Sequence, residues 1–395
     1  MPSAKIFYFI PNLQQGGTEK QILYLMARLP SRYQGVLCVY HADNIFFDAE
    51  CPPGQPAYSL ETTRMNLRAL DRLTEILRAE RPDIVHSYRD KSNFWARLAA
   101  RRAGVPIVIT SCRNRMANLR YLAVERLLAR YTTLTLANSV GVKHELTKYA
   151  RVSPDKIRVI TNILDVQRFR PPTPAERQDA RRRWDLRADQ RVLLLPGRVG
   201  LQKHQVGLLW ALRALARGGR LPGDAVLLFA GRERDRLSSA LAHWLASDRR
   251  LSSQVRFLGA QKDILSLYWA ADVLVMPSLY EGLANAALEG CAVGLPAILS
   301  HAANVDGIVE DGVTGWEVPT GAHQPLVRAL GAALEAPLSQ LQTMGTAARA
   351  RVSARFAPHA NYVVDQTVAV YDELTAQLAR GARGPVTAPA SRAPG

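Results

Sequence analysis

Short apolar runs rich in β-branched and aromatic residues recur along the first half of the chain: KIFYFI (5–10), GVLCVY (35–40), DIVHSY (83–88), PIVIT (106–110) and TLTLAN (133–138). Between several of them lie longer stretches with helical spacing of apolar positions, TEKQILYLMARL (18–29), NLRALDRLTEILRAE (66–80) and SNFWARLAARRAG (92–104). Strands alternating with helices of this length predict parallel βαβ units. The alternation stops at RFRPPTPAERQDARRRWDLRADQ (168–190), whose proline and charge predict a linker region. It restarts with RVLLLPG (191–197), AVLLFAG (225–231), VRFLGA (255–260), DVLVMPS (272–278) and PAILS (296–300). The pattern predicts two doubly wound α/β domains in tandem, residues 1–172 and 190–356, since 395 residues are too many for one ordinary core. A helical pattern over 358–380 is expected to fold back onto the first domain. The tail 381–395, rich in Gly, Pro, Ala and Ser, is expected to be disordered.

Ligands of open parallel sheets collect at the carboxyl ends of the strands, so two such domains facing each other should form a cleft lined by post-strand loops. After the first strand, Gly16 and Gly17 permit close backbone approach and open a helix whose first N–H groups favour an anion. The same residues serve equally well as a plain helix-start turn. The chain has no G-x-G-x-x-G and no Gly-Lys pair, so this loop is neither a dinucleotide fingerprint nor a P-loop.

After the first strand of the second domain, PGRVGLQKHQ (196–205) sets Arg198 and Lys203 across a turn containing Gly200. Two cations there suit a diphosphate, arginine as a planar fork and lysine as a point charge. Further along, PSLYEGLANAALEG (277–290) puts Glu281 at a strand end and Gly282 in the turn, with residues 283–285 beginning a helix. Amide N–H groups at Leu283, Ala284 and Asn285 could hold phosphate or sugar oxygens. Glu289, one to two turns along, could accept both hydroxyls of a ribose, leaving Glu281 for the sugar at the other end. Each segment alone reads as solvated surface. Their coincidence points to a nucleotide-sugar.

Composition narrows the class. The chain is 48% hydrophobic and 22% charged, as in soluble globular proteins. No apolar run approaches the roughly 18 residues of a membrane span, and the N-terminus reads as a first strand in place of a signal peptide. Cys38, Cys51, Cys112 and Cys291 lack metal-like spacing and are expected as reduced thiols in a cytoplasmic protein. The eight histidines show no ligand spacing, and no two aspartates stand two apart. No metal or other cofactor is therefore expected, and Arg198, Lys203 and helix N-termini would supply the positive charge.

The net charge of +17 is uneven, because residues 1–171 hold 26 Lys/Arg against 14 Asp/Glu. A basic first half suggests an anionic partner, such as acidic headgroups at the inner face of the cytoplasmic membrane or a phosphorylated acceptor. Arginine far outnumbers lysine, which a GC-rich genome would also produce, so both explanations stand. No DNA- or RNA-binding motif accompanies the charge, which argues against nucleic acid.

Together these segments resemble glycosyltransferase family 4, retaining enzymes of the GT-B fold with two Rossmann-like domains facing a central cleft. The resemblance spans roughly residues 4–375 and includes PDIVHS (82–87), ANSVGVKHEL (137–146), KIRVITNILDVQRFRP (156–171), GRVGLQK (197–203), the run from FLGAQKD through PSLYEGL to GLPAI (257–298) and GIVEDGVTGWEVP (307–319). It implies that Arg198 and Lys203 bind the donor diphosphate, that Glu289 holds the ribose and that Glu281 contacts the transferred sugar. Amides at 283–285 assist, Leu258 joins the donor site, and Gly17 approaches the donor from the acceptor-binding first domain. The donor would be a UDP- or GDP-sugar, and the acceptor a saccharide or a lipid-linked saccharide.

Two departures from the family pattern stand out. Where many members carry a histidine after the strand matching PIVIT, this chain reads SCRNRM (111–116), which leaves Arg113, in a polar or phosphate-facing role, and His86, after a neighbouring strand, as catalytic candidates, with a satisfied structural histidine an equal reading of His86. The glycine-rich turn often found before E-D-G-V-T-G reads SHAANVDG (300–307). The expected reaction is retaining glycosyl transfer in bacterial surface polysaccharide or glycolipid synthesis. A nucleotide-sugar epimerase of the same architecture and a catalytically silent nucleotide-sugar-binding subunit are the rival readings.

Overall fold

The computed structural model describes residues 4–13, 17–41, 52–55, 57–113 and 119–381, the side chains of residues 119 and 120 excepted. Gly16, Cys51 and the tail 382–395 lie outside the described residues. The chain divides into two compact units, one formed by Met1–Ile163 with Asn361–Gly395 and the other by Leu164–Ala360.

The first unit is a parallel sheet of seven strands: β1 (Ala4–Ile10), β2 (Tyr33–Val39), β3 (Tyr58–Ser59), β4 (Ile84–Tyr88), β5 (Ile107–Cys112), β6 (Leu134–Ala137) and β7 (Ile157–Val159). Their spatial order is β3-β2-β1-β4-β5-β6-β7. Alternate residues of a strand face opposite sides of the sheet, and in β1 both sides are apolar. Ile6, Tyr8 and Ile10 enter one buried cluster, while Phe7 and Phe9 enter the other. Helices α1 (Gly17–Met26), α2 (Leu67–Glu80), α3 (Asp90–Ala103), α4 (Leu119–Leu128) and α5 (Val140–Lys148) connect the strands. At the far end of the chain, α13 (Tyr362–Ala379) adds Val364, Val368 and Tyr371 to the same core as β1.

The second unit repeats the plan with β8 (Arg191–Pro196), β9 (Ala225–Ala230), β10 (Val255–Phe257), β11 (Val273–Met276), β12 (Ala297–Ser300) and β13 (Gly315–Val318). All pair in parallel, in the order β10-β9-β8-β11-β12-β13. Its helices are α6 (Pro174–Arg183), α7 (Gln205–Arg217), α8 (Arg236–Ala246), α9 (Ile264–Ala270), α10 (Asn285–Ala292), α11 (His323–Glu335) and α12 (Leu338–Phe356).

The segment 168–190 is not a linker. α6 begins with a Thr173–Glu176 capping box and Pro174 at its first position, both helix-start signals inside the stretch read as a break. Leu164, Phe169 and Leu186 are buried in the core of the second unit. Arg177 and Arg181 both donate to Asp272, at 2.6 and 2.9 Å, and Asp272 also accepts from Val192 N at 2.7 Å. The unit therefore starts at Leu164 rather than at residue 190. The strands β3, β7 and β13 also went unread.

Candidate active site

In the second sheet the order reverses between β8 and β11, which are hydrogen-bonded neighbours although about eighty residues of chain separate them. The loops leaving their carboxyl ends are the ones that carry Arg198, Lys203 and Glu281. A doubly wound sheet opens a crevice at such a reversal.

Glycine shapes the β8 loop first. Gly197 leaves the strand at φ 142°, and a Cβ there would lie 2.9 Å from Lys203 Cε, so the missing side chain makes room for the lysine stem. Gln205, buried at the start of α7, donates to Arg198 O at 3.0 Å and accepts from Gly200 N at 3.1 Å, which ties both ends of the turn together. Arg198 sits exposed on that turn.

Lys203 Nζ then donates to Glu281 Oε1 at 2.7 Å, with the two side chains 16% and 9% exposed. Gln202 reinforces the junction. Its Nε2 donates to Tyr280 O at 3.1 Å and lies 3.5 Å from Glu281 Oε2, while its backbone carbonyl accepts from Leu279 N at 2.9 Å. The two loops are thus one hydrogen-bonded piece, and a lysine and a glutamate assigned to different ends of a ligand are ion-paired.

Glu289 lies half-buried in the second turn of α10. Its Oε2 accepts from Tyr268 Oη at 2.9 Å, and Tyr268, on α9, is fully enclosed. Burial first, then the Glu289 charge, hold the phenol well above its ordinary pKa, so it remains a donor. One glutamate oxygen is thereby fixed in place. α10 starts at Asn285, with Ala284 as its extended cap residue, so Leu283 and Ala284 precede the helix that was expected to begin at 283. Gly282 is buried in the bend before them. Leu258, just after β10, donates its N–H to Phe229 O and packs on the core cluster that contains Leu283, Ala284 and Ala287.

The first unit holds the remaining candidates. Gly17 is the first residue of α1 and is exposed. His86 requires a correction: it lies within β4, not after it, and is completely buried. Its Nδ1 is 2.6 Å from Tyr371 Oη and its Nε2 2.8 Å from Ser111 Oγ, with the ring stacked on Tyr88. Burial, aided by the nearby Arg113 charge, keeps the imidazole pKa well below its usual value. Enclosed and bonded at both ring nitrogens, it is held as a structural histidine would be. Arg113 follows β5 and donates to Asn162 Oδ1 at 2.7 Å, with its guanidinium 5.2 Å from the Tyr88 ring. Its Nε is buried and finds no acceptor among the described residues, and burial lowers its pKa. Cys38, Cys112 and Cys291 are buried free thiols, and among the described residues no group of His, Cys, Asp and Glu could hold a metal.

Gly197, Gln202, Gln205 and Tyr268 escaped the sequence reading. The first three sit inside the stretch already singled out for Arg198 and Lys203. Nothing in the sequence pairs Tyr268 with Glu289 across 21 positions.

Two parallel, doubly wound α/β units define the GT-B class of glycosyltransferase fold. HepE of Anabaena, solved with UDP and glucose, is similar with a TM-score of 0.81 over 93% of this chain and 99% of that one, at 19% identity. The family described as Glycosyl transferases group 1 matches residues 176–351, and Glycosyltransferase Family 4 matches residues 15–168. EpsD of Bacillus subtilis (strain 168), named as a candidate glycosyltransferase, is 31% identical over 278 residues, covering 67% of this chain and 70% of that protein. The UDP-Gal:alpha-D-GlcNAc-diphosphoundecaprenol alpha-1,3-galactosyltransferase of Escherichia coli is 28% identical over 274 residues, covering 67% and 70%. The chain belongs to the family 4, group 1 glycosyltransferases and is an enzyme of that class.

Proposed function

We propose that this enzyme moves a sugar from a nucleoside-diphosphate-sugar to a hydroxyl of a saccharide or lipid-linked acceptor, with retention at the anomeric carbon. The observation that carries the reading is the Lys203–Glu281 contact at the β8/β11 reversal, with Arg198 on the same turn and Glu289 on the helix that follows. Arg198 and Lys203 take the donor diphosphate. When phosphate oxygens arrive, Lys203 shares its charge between them and Glu281, which leaves the glutamate to turn towards the sugar hydroxyls. Glu289, steadied by Tyr268, accepts from the ribose diol, and the amides of Leu283, Ala284 and Asn285 complete the cradle.

The chemical step expels a nucleoside diphosphate and passes through an oxocarbenium-like centre. Fixed cations stabilise the negative charge that grows on the leaving group. With Glu281 assigned to the sugar hydroxyls, no other carboxylate among the described residues is assigned as a nucleophile, which favours front-face attack in which the departing phosphate takes the acceptor proton. Arg113, half-buried and with an Nε–H that has no acceptor among the described residues, is the first-unit residue assigned to acceptor or phosphate.

The relatives support the substrate class. HepE was solved with UDP and glucose, and the Escherichia coli enzyme is named for a UDP-sugar and a diphosphoundecaprenol-linked acceptor. By analogy the product belongs to bacterial surface polysaccharide or glycolipid.

Thermal-shift titration with UDP, GDP and their sugars tests the donor site. A ligand at 100 times its Kd stabilises the folded state by about 2.7 kcal/mol. One nucleotide series should raise the melting temperature in the wild type and fail to do so after joint replacement of Arg198 and Lys203. Stabilisation that survives that replacement overturns the diphosphate assignment. Nuclear magnetic resonance of the product should show the donor's anomeric configuration. An epimerised donor, or a bound donor that is never transferred, selects one of the rival readings.

A further inference from the structure

On the second unit, α8 leaves an apolar stripe uncovered. Leu237, Leu241 and Trp244 are 82%, 37% and 60% exposed and stand at i, i+4 and i+7, so they share one face of the helix. Leu201, also exposed, adjoins the start of the helix, because its N–H donates to Asp235, the α8 cap residue. The opposite face, with Ser239, Ala242, Leu245 and Ala246, is buried on the unit. Folding therefore fully occupies the inner side of α8 and does nothing with the outer side.

Charge surrounds the stripe. Residues 232–250 hold five arginines and three acids. Each acid is engaged within the unit: Glu233 with His243, Asp235 with the N–H groups of Leu201 and Ser238, and Asp248 with Arg213 and Arg250. Arg236 in the first turn and Arg249 and Arg250 just past the last turn are exposed at the two ends of the stripe.

We propose that the outer face of α8 docks on an anionic lipid surface, with Leu237, Leu241 and Trp244 entering the headgroup boundary and the arginines meeting lipid phosphates. A leucine–tryptophan face bordered by arginine is the composition of helices that lie in the membrane interface. A second copy of this chain fits less well. An isologous contact would set like-charged arginines together, and three side chains fall far short of the roughly 20–30 residues per side of a stable interface. The surface lies in the second unit, whereas the charge count had pointed to the first. Asp235 and Arg234 also bond the Lys203 loop at Leu201 and Gln202, so this docking would hold the loop proposed to bind the donor beside the lipid.

Flotation of the full chain with phosphatidylcholine vesicles, with and without phosphatidylglycerol, tests this. No donor or acceptor is present, so the result is independent of the glycosyl-transfer reading. The wild type should float with the anionic vesicles. Joint Leu237→Ser, Leu241→Ser and Trp244→Ser replacement should reduce binding about tenfold or more, and Arg236→Gln with Arg249→Gln and Arg250→Gln should act in the same direction. All six side chains are on the surface, so the melting temperature should not change. Wild-type flotation by the serine variant overturns the proposal. So does loss of binding on Leu127→Ser with Arg126→Gln in the first unit while the α8 variant still floats. A wild-type dimer in sedimentation that the serine variant dissolves would assign the stripe to self-association instead.

Discussion

Lys203 Nζ lies 2.7 Å from Glu281 Oε1, across 78 positions of sequence, because the strands that deliver them are neighbours at the reversal of the second sheet. Both side chains are mostly buried, so removing either one leaves the other charge without its counter-ion. In Lys203→Met and Glu281→Gln the losses in stability should be non-additive, with a coupling of about 0.5–3 kcal/mol read from urea denaturation of both single variants and the double. Transfer by either single variant should fall by about 10²–10³-fold, the scale of losing one fixed group from a charged transition state. Additive stabilities would mean that the pair does not act as a unit.

Glu289 and Tyr268 make a second linked pair. Glu289→Ala should weaken donor binding by about one to two decades, the equivalent of about 1.5–3 kcal/mol for charge-assisted bonds. Tyr268→Phe should cause a smaller loss through KM, with kcat nearly unchanged, because among the described residues its hydroxyl hydrogen-bonds only Glu289 and Ala286 O. Both penalties should shrink for a donor with 2′-deoxyribose. Calorimetric titration of the two donors against the three proteins measures this, and an equal penalty for both donors would remove Glu289 from the ribose.

His86 gives the first unit a defined response to acid. Its folded pKa lies well below 6.5, so in the window from about pH 6.5 downwards the unfolded chain takes up a proton that the folded chain refuses. Stability rises with pH wherever the unfolded state holds more protons, so this group's contribution is lost as pH falls, by up to about 1.4 kcal/mol per pH unit. His86→Gln should flatten the slope of stability against pH by about one proton, whatever it does to stability at neutral pH. Partly buried His204, also shifted downwards, is common to both proteins and cancels in the comparison. Identical slopes would show that His86 titrates normally in the folded state.

Asp272 decides where the second unit can be cut. It is buried, and it accepts from Arg177, Arg181 and Val192 N. A fragment of residues 190–356 loses both arginines along with Leu164, Phe169 and Leu186 from the core. Leaving a buried carboxylate without its partner costs about 3–5 kcal/mol. The fragment 164–360 should therefore melt cooperatively in calorimetry, and 190–356 should melt much lower or not fold. In the intact chain, Asp272→Asn should reproduce part of the loss.

Local pattern was enough for the longer strands and helices, because apolar period and length are properties of neighbouring residues. GRVGLQK and PSLYEGL stood out because post-strand glycines and charged residues are also local. The Thr173–Glu176 capping box was equally local, yet proline and a run of arginines concealed α6, whose purpose is visible only with Asp272 in place. His86 shows the opposite limit: the sequence leaves a catalytic and a structural histidine equally open until its burial and its Tyr371 and Ser111 partners are known.

The order of residues alone determined the class of the protein: two parallel α/β domains and the family that carries them. Tertiary structure decided which charges meet, which histidine is enclosed and which helix face is left bare. The reason is that sequence records spacing along a line, whereas Lys203 and Glu281, Tyr268 and Glu289, or Asp272 and Arg181 become neighbours only when the crossover helices set the strand order of the sheet. Burial, which fixes the strength of each of those contacts, is likewise a property of the assembled unit.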